Sequence, residues 1–563
     1  MDTHRPGLAL ERLERSRLEY GGDAGARKLG LLRALERVWF VRARDVLRLH
    51  EALCFLRAYP DDEQVLAQVE RMLGVFSSRR DVRRHRAKLA NTGIDGTPIR
   101  FRFFQPTASW LARGWPDHIT IDWDAFENQE QLEQLLPLLV HPSETPALDE
   151  LTFGIKKWLR RLKGPEETDA AFLIRRFDCL AASGLARETL YDRLDPPLVL
   201  ASAPGTPSRT RAKYEPAPVV YQRRPIARAR PRLKLDVLRP PQAVRVLDRR
   251  EARRLIDLAR EAMATRQRDL DAFSWASDDD VRMVECGDGL QFACIGQIPE
   301  RRLLLESVYG YLTLRNGVPV GYVLSGALFG SAEVAYNVFE TFRGAEAAVI
   351  FGRVLAMIRA LFGADAFMIP PYQLGHENDE AIESGAWWFY QKLGFRPRDA
   401  KTLGLMRTEL ERMKRAPKHR SSSATLRRLA RASVYLDLGQ RREDVMGRLK
   451  LANIGLHAAR HLATRFGADR ERGARVCAEE AATLLGVRSL RRWSAGERQS
   501  WERWSPLVVI LPGIARWSLG ERRALAAVVR AKGGRRDSDF TLAFDRHRKL
   551  RRAIQKLAES EPG

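Results

Sequence analysis

The chain has 563 residues, which at roughly 100–200 residues per domain predicts three or four domains. It is 45% hydrophobic and 30% charged, a globular composition that excludes a disordered chain. The net charge is +25, from 96 basic and 71 acidic residues, and it raises the question of a nucleic-acid partner.

The first 20 residues are broken by charges and form no secretory signal. The apolar run Leu507–Ile514 falls far short of the ~20 residues of a membrane span. Five cysteines without a CxxC pair suit a reducing compartment, so a cytoplasmic, non-membrane protein is expected. Residues 1–202 read as a mainly helical domain. Asp45–Tyr59 has apolar residues at helical spacing and stops at Pro60, and Asp61-Asp62 starts another helix. FRFFQP and HITIDW, between Gly93 and Trp123, read as short strands or extended loops. Glu130–Leu136 reads as a helix that Pro137 ends or kinks.

Residues 203–242 read as a Pro- and Arg-rich linker, since proline at that density blocks helix and sheet interiors. Ala243–Arg268 is expected to be a helix. Two hairpins follow, one around Gly287-Asp288-Gly289 and one around Asn316-Gly317, a strong turn dipeptide. Ala332–Thr341 is expected as a strand, Ala345–Phe362 as a helix ended by Gly363, Ala366–Pro370 as a strand and Ala381–Leu393 as a second helix. Residues 421–563 return to helices. The predicted fold is multidomain: a central α+β domain at 243–410, flanked by mainly helical domains at 1–202 and 421–563.

Charge follows these divisions. Residues 1–250 carry net +11, residues 251–400 net −6 and residues 401–563 net +20. Of the basic residues 81 are Arg and 15 are Lys, a ratio that genomic composition produces as readily as selection for phosphate contacts. RNA contact, where it occurs, is expected through 209–239 and 401–563.

Four features of residues 305–397 occur in order: the hairpin TLRNGVPVGYVL; the strand VAYNVFETFRG running into Arg343-Gly344 and a long helix; the short strand AFMIP; and Ala386–Phe395, AWWFYQKLGF. Together they resemble the GNAT superfamily of acyl-CoA-dependent N-acyltransferases, and the last matches that family's A-x-x-x-Y-x-K-x-G-F segment. The resemblance implies acyl transfer from acetyl-CoA or another acyl-CoA to an amine, on a small molecule or a protein. It implies a pyrophosphate loop R-G-x-G-x-G/A, matched here by Arg343, Gly344, Ala345, Ala347 and Ala348, with Glu346 where the middle Gly stands. A helix N-terminus suits a pyrophosphate. A carboxylate roughly 6 Å from a phosphate opposes it by about 1 kcal/mol in water.

The chemistry needs a proton removed from the amine, since at a pKa near ~10.4 roughly one lysine in a few thousand is neutral at pH 7. It also needs donors for a developing oxyanion and an acid for the leaving thiolate. The resemblance implies Val338 and Phe339 N–H groups as donors and Tyr390 as the acid. Glu340 and Glu333 are the candidate bases. On a strand Tyr336, Val338 and Glu340 share one face, and Glu333, Ala335, Asn337 and Phe339 the other. Tyr372, Gln373, His376 and Asn378 are candidate substrate contacts, although Asn378 reads first as a helix cap.

Elsewhere, His457 and His461 have i, i+4 spacing but no third ligand, so no metal is expected. Trp493, Trp501, Trp504 and Trp517 read as core before they read as base-stacking platforms. Two further readings stand beside acyl-CoA transfer: a catalytically inactive GNAT-like binding or scaffold protein, for which Glu346 speaks, and an aminoacyl-tRNA-dependent transferase using the basic C-terminal region.

Overall fold

A computed structural model describes residues 6–226, 233–344 and 346–561. The chain forms two compact units, one of Met1–Ile226, Arg253–Trp275 and Leu314–Val320, the other of Ala227–Ala252, Ala276–Thr313 and Gly321–Gly563.

The first unit is helical around two apolar clusters. Helices Ala43–Ala58 and Glu63–Gly74 bring Leu49, Leu53, Val65 and Met72 into one cluster. Asp62 caps the second of these helices by accepting the Val65 N–H. The other cluster covers a small antiparallel sheet of β1 (Ile99–Phe101), β2 (Ile119–Ile121) and β3 (Leu198–Leu200), in the order β1-β3-β2. FRFFQP yields β1 and then a helix, Gln105–Gly114, whose Pro106 sits in the first turn where its missing N–H costs nothing. The helix expected to end or kink at Pro137 runs on, from Gln129 to Leu139.

Residues 203–226 of the expected linker have neither helix nor strand, yet they are built into this unit. Thr206, Ser208 and Thr210 are buried. Arg57 donates to the carbonyls of Thr210 (2.7 Å), Arg209 (3.1 Å) and Ala212 (3.3 Å). Three of its basic residues are spent internally, Arg209 on Glu51, Arg211 on Asp95 and Lys213 on Glu70 at 2.8 Å, while Arg223 and Arg224 are exposed. Residues 227–232 lie outside the described residues, and 233–238 form a short helix.

The second unit is built on a nine-stranded sheet. Its strands are β4 (Ala243–Val246), β5 (Ala276–Gly287), β6 (Leu290–Gln297), β7 (Ser307–Arg315), β8 (Val318–Leu328), β9 (Ser331–Val338), β10 (Ala366–Ile369), β11 (Arg396–Pro397) and β12 (Val434–Asp437). The order is β11-β12-β10-β9-β8-β7-β6-β5-β4. Strands β4 to β9 therefore meander between neighbours. Helix α1 (Ala347–Phe362) then crosses back, so that β10 runs parallel to β9.

Four expectations change here. The stretch expected as a helix from Ala243 begins as β4, paired with β5, and the helix proper is Arg249–Ala264. The second helix is split into Asp379–Glu383 and α2 (Ala386–Lys392) because Gly385 adopts φ +68°. The strand expected to reach Thr341 stops at Val338. The C-terminal helices are interrupted by β12, which inserts between β10 and β11.

One face of the sheet packs on α1 and α2 through Val334, Tyr336, Phe351, Trp387 and Tyr390. Leu328, Phe329 and Met368 instead join the C-terminal helices, around Trp501, Trp504 and Phe544. Those helices are also tied in by a buried polar network. Asp280 accepts from the Tyr309 hydroxyl (2.5 Å) and the Asp537 N–H (3.1 Å), and Lys532 lies 2.9 Å from Asp537.

Candidate functional site

Strand β9 has two partners of unequal length. Its pairing with β8 runs from Ser331↔Leu328 to Val338↔Gly321. Its pairing with β10 covers only Ser331, Ala332 and Glu333. From Val334 to Val338 the β10 side of β9 is therefore open, and backbone groups there face side chains instead of a strand.

Tyr390 on α2 fills part of that opening. Its ring packs edge-on against Phe351 (5.4 Å) and Phe395 (5.9 Å), and its hydroxyl accepts a hydrogen bond from the Tyr336 backbone. Burial raises the Tyr390 pKa well above that of a free phenol, so the hydroxyl holds its proton. Backbone N–H direction alternates along a strand, so the Val338 N–H points to the same open side as that of Tyr336. Val338 itself packs on the core, and Phe339 is buried against Tyr322 with ring centroids 6.1 Å apart.

Beyond Val338 the chain makes a short 3₁₀ turn, Glu340–Phe342, and enters α1. Arg343 folds back, its Nε donating to the Val338 carbonyl at 3.4 Å, and its guanidinium pairs with Glu380. Gly344 adopts φ +79° with open space where a side chain would stand. Ala345 lies outside the described residues. Ala347 and Ala348 open the helix and pack on the core, and the Ala347 carbonyl accepts from the Tyr336 hydroxyl at 3.1 Å. Glu346 caps the helix by position only, without a side-chain cap bond; the Tyr336 pKa is raised by burial, by the neighbouring Tyr390 phenol and by Glu346.

The structure thus brings together Tyr390, Val338, Arg343 and Gly344, with Ala347 and Ala348 behind them. It separates the candidate bases. Glu340 lies off the strand, exposed in the turn, so it does not share a face with Tyr336. Glu333 lies on the face opposite Val334 and Tyr336, with its pKa raised by burial and by Glu306. Tyr336 and Glu380 were not singled out by sequence reasoning. Alternation along β9 signalled Tyr336, whereas Glu380 is one of several acids in a polar loop.

Asn378 acts as a cap, accepting from the Ala381 N–H (3.2 Å) and donating to the Tyr372 carbonyl (3.1 Å). Tyr372 and His376 are exposed and Gln373 half-buried. His457 bonds to the Ser560 hydroxyl at 2.9 Å, and His461 lies 3.9 Å from the Cys477 sulfur. Trp501, Trp504 and Trp517 are buried, which leaves them no face for a base. No helix among the described residues is long and apolar enough to cross a membrane. No protein-family model, curated protein or solved structure matches the chain.

Proposed function

We propose that the chain is a GNAT-type N-acyltransferase, moving an acyl group from acyl-CoA to an amine at the open edge of β9. The observation that carries this reading is the early end of the β9–β10 pairing, beside the turn that leads through Arg343 and Gly344 into α1. A strand edge left unpaired next to a helix N-terminus offers backbone donors and a positive dipole end together.

In this reading the start of α1 and Arg343 receive the pyrophosphate. Gly344 lets the phosphates approach the backbone, since no side-chain atom crowds it. The Val338 N–H polarises the thioester carbonyl. Tyr390, kept protonated by burial, returns a proton to the departing thiolate. Glu340, exposed in the adjoining turn, supplies the carboxylate that takes the proton of an incoming amine. The net charge of −6 over residues 251–400 suits a cationic amine.

A second reading, a GNAT-like scaffold without turnover, draws on the Arg343–Glu380 pair and on Glu346, which put two carboxylates near the expected pyrophosphate position. Release of free thiol from acetyl-CoA over a panel of primary amines separates the two. Amine-dependent release that Tyr390→Phe abolishes supports transfer. Release that persists unchanged in Tyr390→Phe refutes this acid assignment, and none with any amine favours the scaffold.

A further inference from the structure

The C-terminal helices carry a groove that plays no part in the acyl-transfer reading. It lies between α3 (Leu519–Lys532) and the pair α4 (Asp537–Arg546) and α5 (Arg548–Glu559), and encloses about 540 Å³. Its floor is small: Gly520, Ala524 and Ala527 line it from one side of α3, and Ala543 from α4. Its rim is cationic, with Arg546, Arg548 and Lys549 from the junction of α4 and α5.

The charges on this rim are largely uncompensated. Glu521 is the carboxylate lining the groove, and it is held by Lys549 at 2.7 Å. The His547 Nδ1 accepts the Leu550 N–H (3.1 Å), and its Nε2 donates to the Glu521 carbonyl (2.8 Å). Arg546 and Arg548 are exposed and have no carboxylate partner among the described residues. Exposed arginines elsewhere in this unit are often neutralised, as in Arg249–Asp279, Arg427–Asp379 and Arg465–Glu480.

Helix α5 extends the cationic line. Its buried side is Leu550, Ala553, Ile554 and Leu557. Its exposed side carries Arg548, Arg552 and Lys556 at i, i+4 and i+8, about 6 Å apart along the axis. A row of that kind meets a ladder of phosphates, which recur every ~3.4 Å along each strand of a duplex. No Phe, Tyr or Trp is among the residues lining the groove, and the His547 ring is buried and bonded at both nitrogens, so the groove offers no platform on which unpaired bases would stack.

We propose that this groove and the exposed side of α5 bind the phosphate backbone of duplex nucleic acid, without reading its sequence. The test is fluorescence anisotropy of the full chain with labelled 20-base-pair RNA and DNA duplexes and a single strand, between about 50 and 200 mM salt. The wild type is expected to bind duplex with a steep salt dependence. The triple variant Arg546→Ala/Arg548→Ala/Arg552→Ala is expected to lose at least tenfold in affinity and to flatten the log–log salt slope by about 2 to 3. A control losing the same charge from exposed positions on other helices, Arg407→Ala/Arg415→Ala/Arg428→Ala, keeps the wild-type slope.

Bound duplex also protects Lys549 and Lys556 of the wild type from amine-reactive labelling, a reading that needs no variant. RNA preferred to DNA, or the reverse, identifies the natural duplex. Equal losses in both triple variants overturn the assignment. So do tighter binding to the single strand, and capture by anionic vesicles without any binding to duplex.

Discussion

The Tyr390 hydroxyl accepts a hydrogen bond from the Tyr336 backbone, at the edge of β9 that β10 leaves open. One phenol thus replaces part of a missing strand and brings a proton to the same edge.

Tyr390→Phe keeps the ring packing on Phe351 and Phe395 and removes only the hydroxyl. Leaving one buried backbone donor unsatisfied costs about 1–3 kcal/mol of stability. A lost general acid costs about 10²–10⁴-fold in kcat. Urea unfolding alongside steady-state kinetics checks the pair of effects, and a kcat loss below tenfold removes Tyr390 from the chemistry.

The Arg343–Glu380 pair is 44% and 52% exposed, so breaking it costs the fold no more than about 1 kcal/mol. Glu380→Gln therefore frees the guanidinium with little structural penalty, and acetyl-CoA affinity is expected to rise several-fold. Arg343→Ala removes a charge-assisted contact and is expected to weaken binding by about tenfold or more. Calorimetric titration of both variants is the check.

Glu261 supplies a pH prediction in the first unit. Its carboxylate accepts the Ser208 N–H at 2.8 Å, and burial pushes its pKa up to about 7, from 4.5 for an ordinary glutamate. The folded chain binds this proton more tightly than the unfolded chain. Its stabilisation is therefore full below about pH 4.5 and is lost as pH rises through 7, a span of roughly 3 kcal/mol. Glu261→Gln keeps an acceptor and should remove that part of the slope. Urea unfolding of both proteins at pH 5 and pH 8 measures it, and identical slopes in the two refute the assignment.

Gly317→Ala tests how the buried 203–226 segment is held. Gly317 has φ +77°, its carbonyl accepts the Tyr214 N–H at 2.8 Å, and an added Cβ comes 2.3 Å from the Tyr214 carbonyl oxygen. The strained conformation alone costs about 1–3 kcal/mol. Faster limited proteolysis between Thr206 and Gln222 is expected, and an unchanged cleavage rate argues against this anchorage.

The parts of this fold that sequence made legible are those fixed by neighbours in the chain. Asn316-Gly317 announced its hairpin through two residues that take positive φ, and Gly363 ended α1 in the left-handed conformation. What stayed hidden depends on distant partners. Val434–Asp437 becomes a strand by pairing with Ala366–Ile369 and Arg396–Pro397, and nothing in four residues announces that. Ala243–Val246 joins the sheet edge against β5 in the same way. The site divided likewise. Arg343, Gly344 and Tyr390 were named from local pattern. The Glu380 partner of Arg343, and the turn that lifts Glu340 off the strand, come from how the chain closes after β9.

Equilibrium titration of acetyl-CoA into the wild type, Glu346→Gly and Arg343→Ala tests the proposed acyl-CoA site most directly. Saturable binding to the wild type is expected, with tighter binding once the carboxylate at the start of α1 is gone and a loss of about tenfold or more without Arg343. Absence of binding to the wild type under conditions where Glu346→Gly binds, or affinity indifferent to both substitutions, contradicts the proposed site.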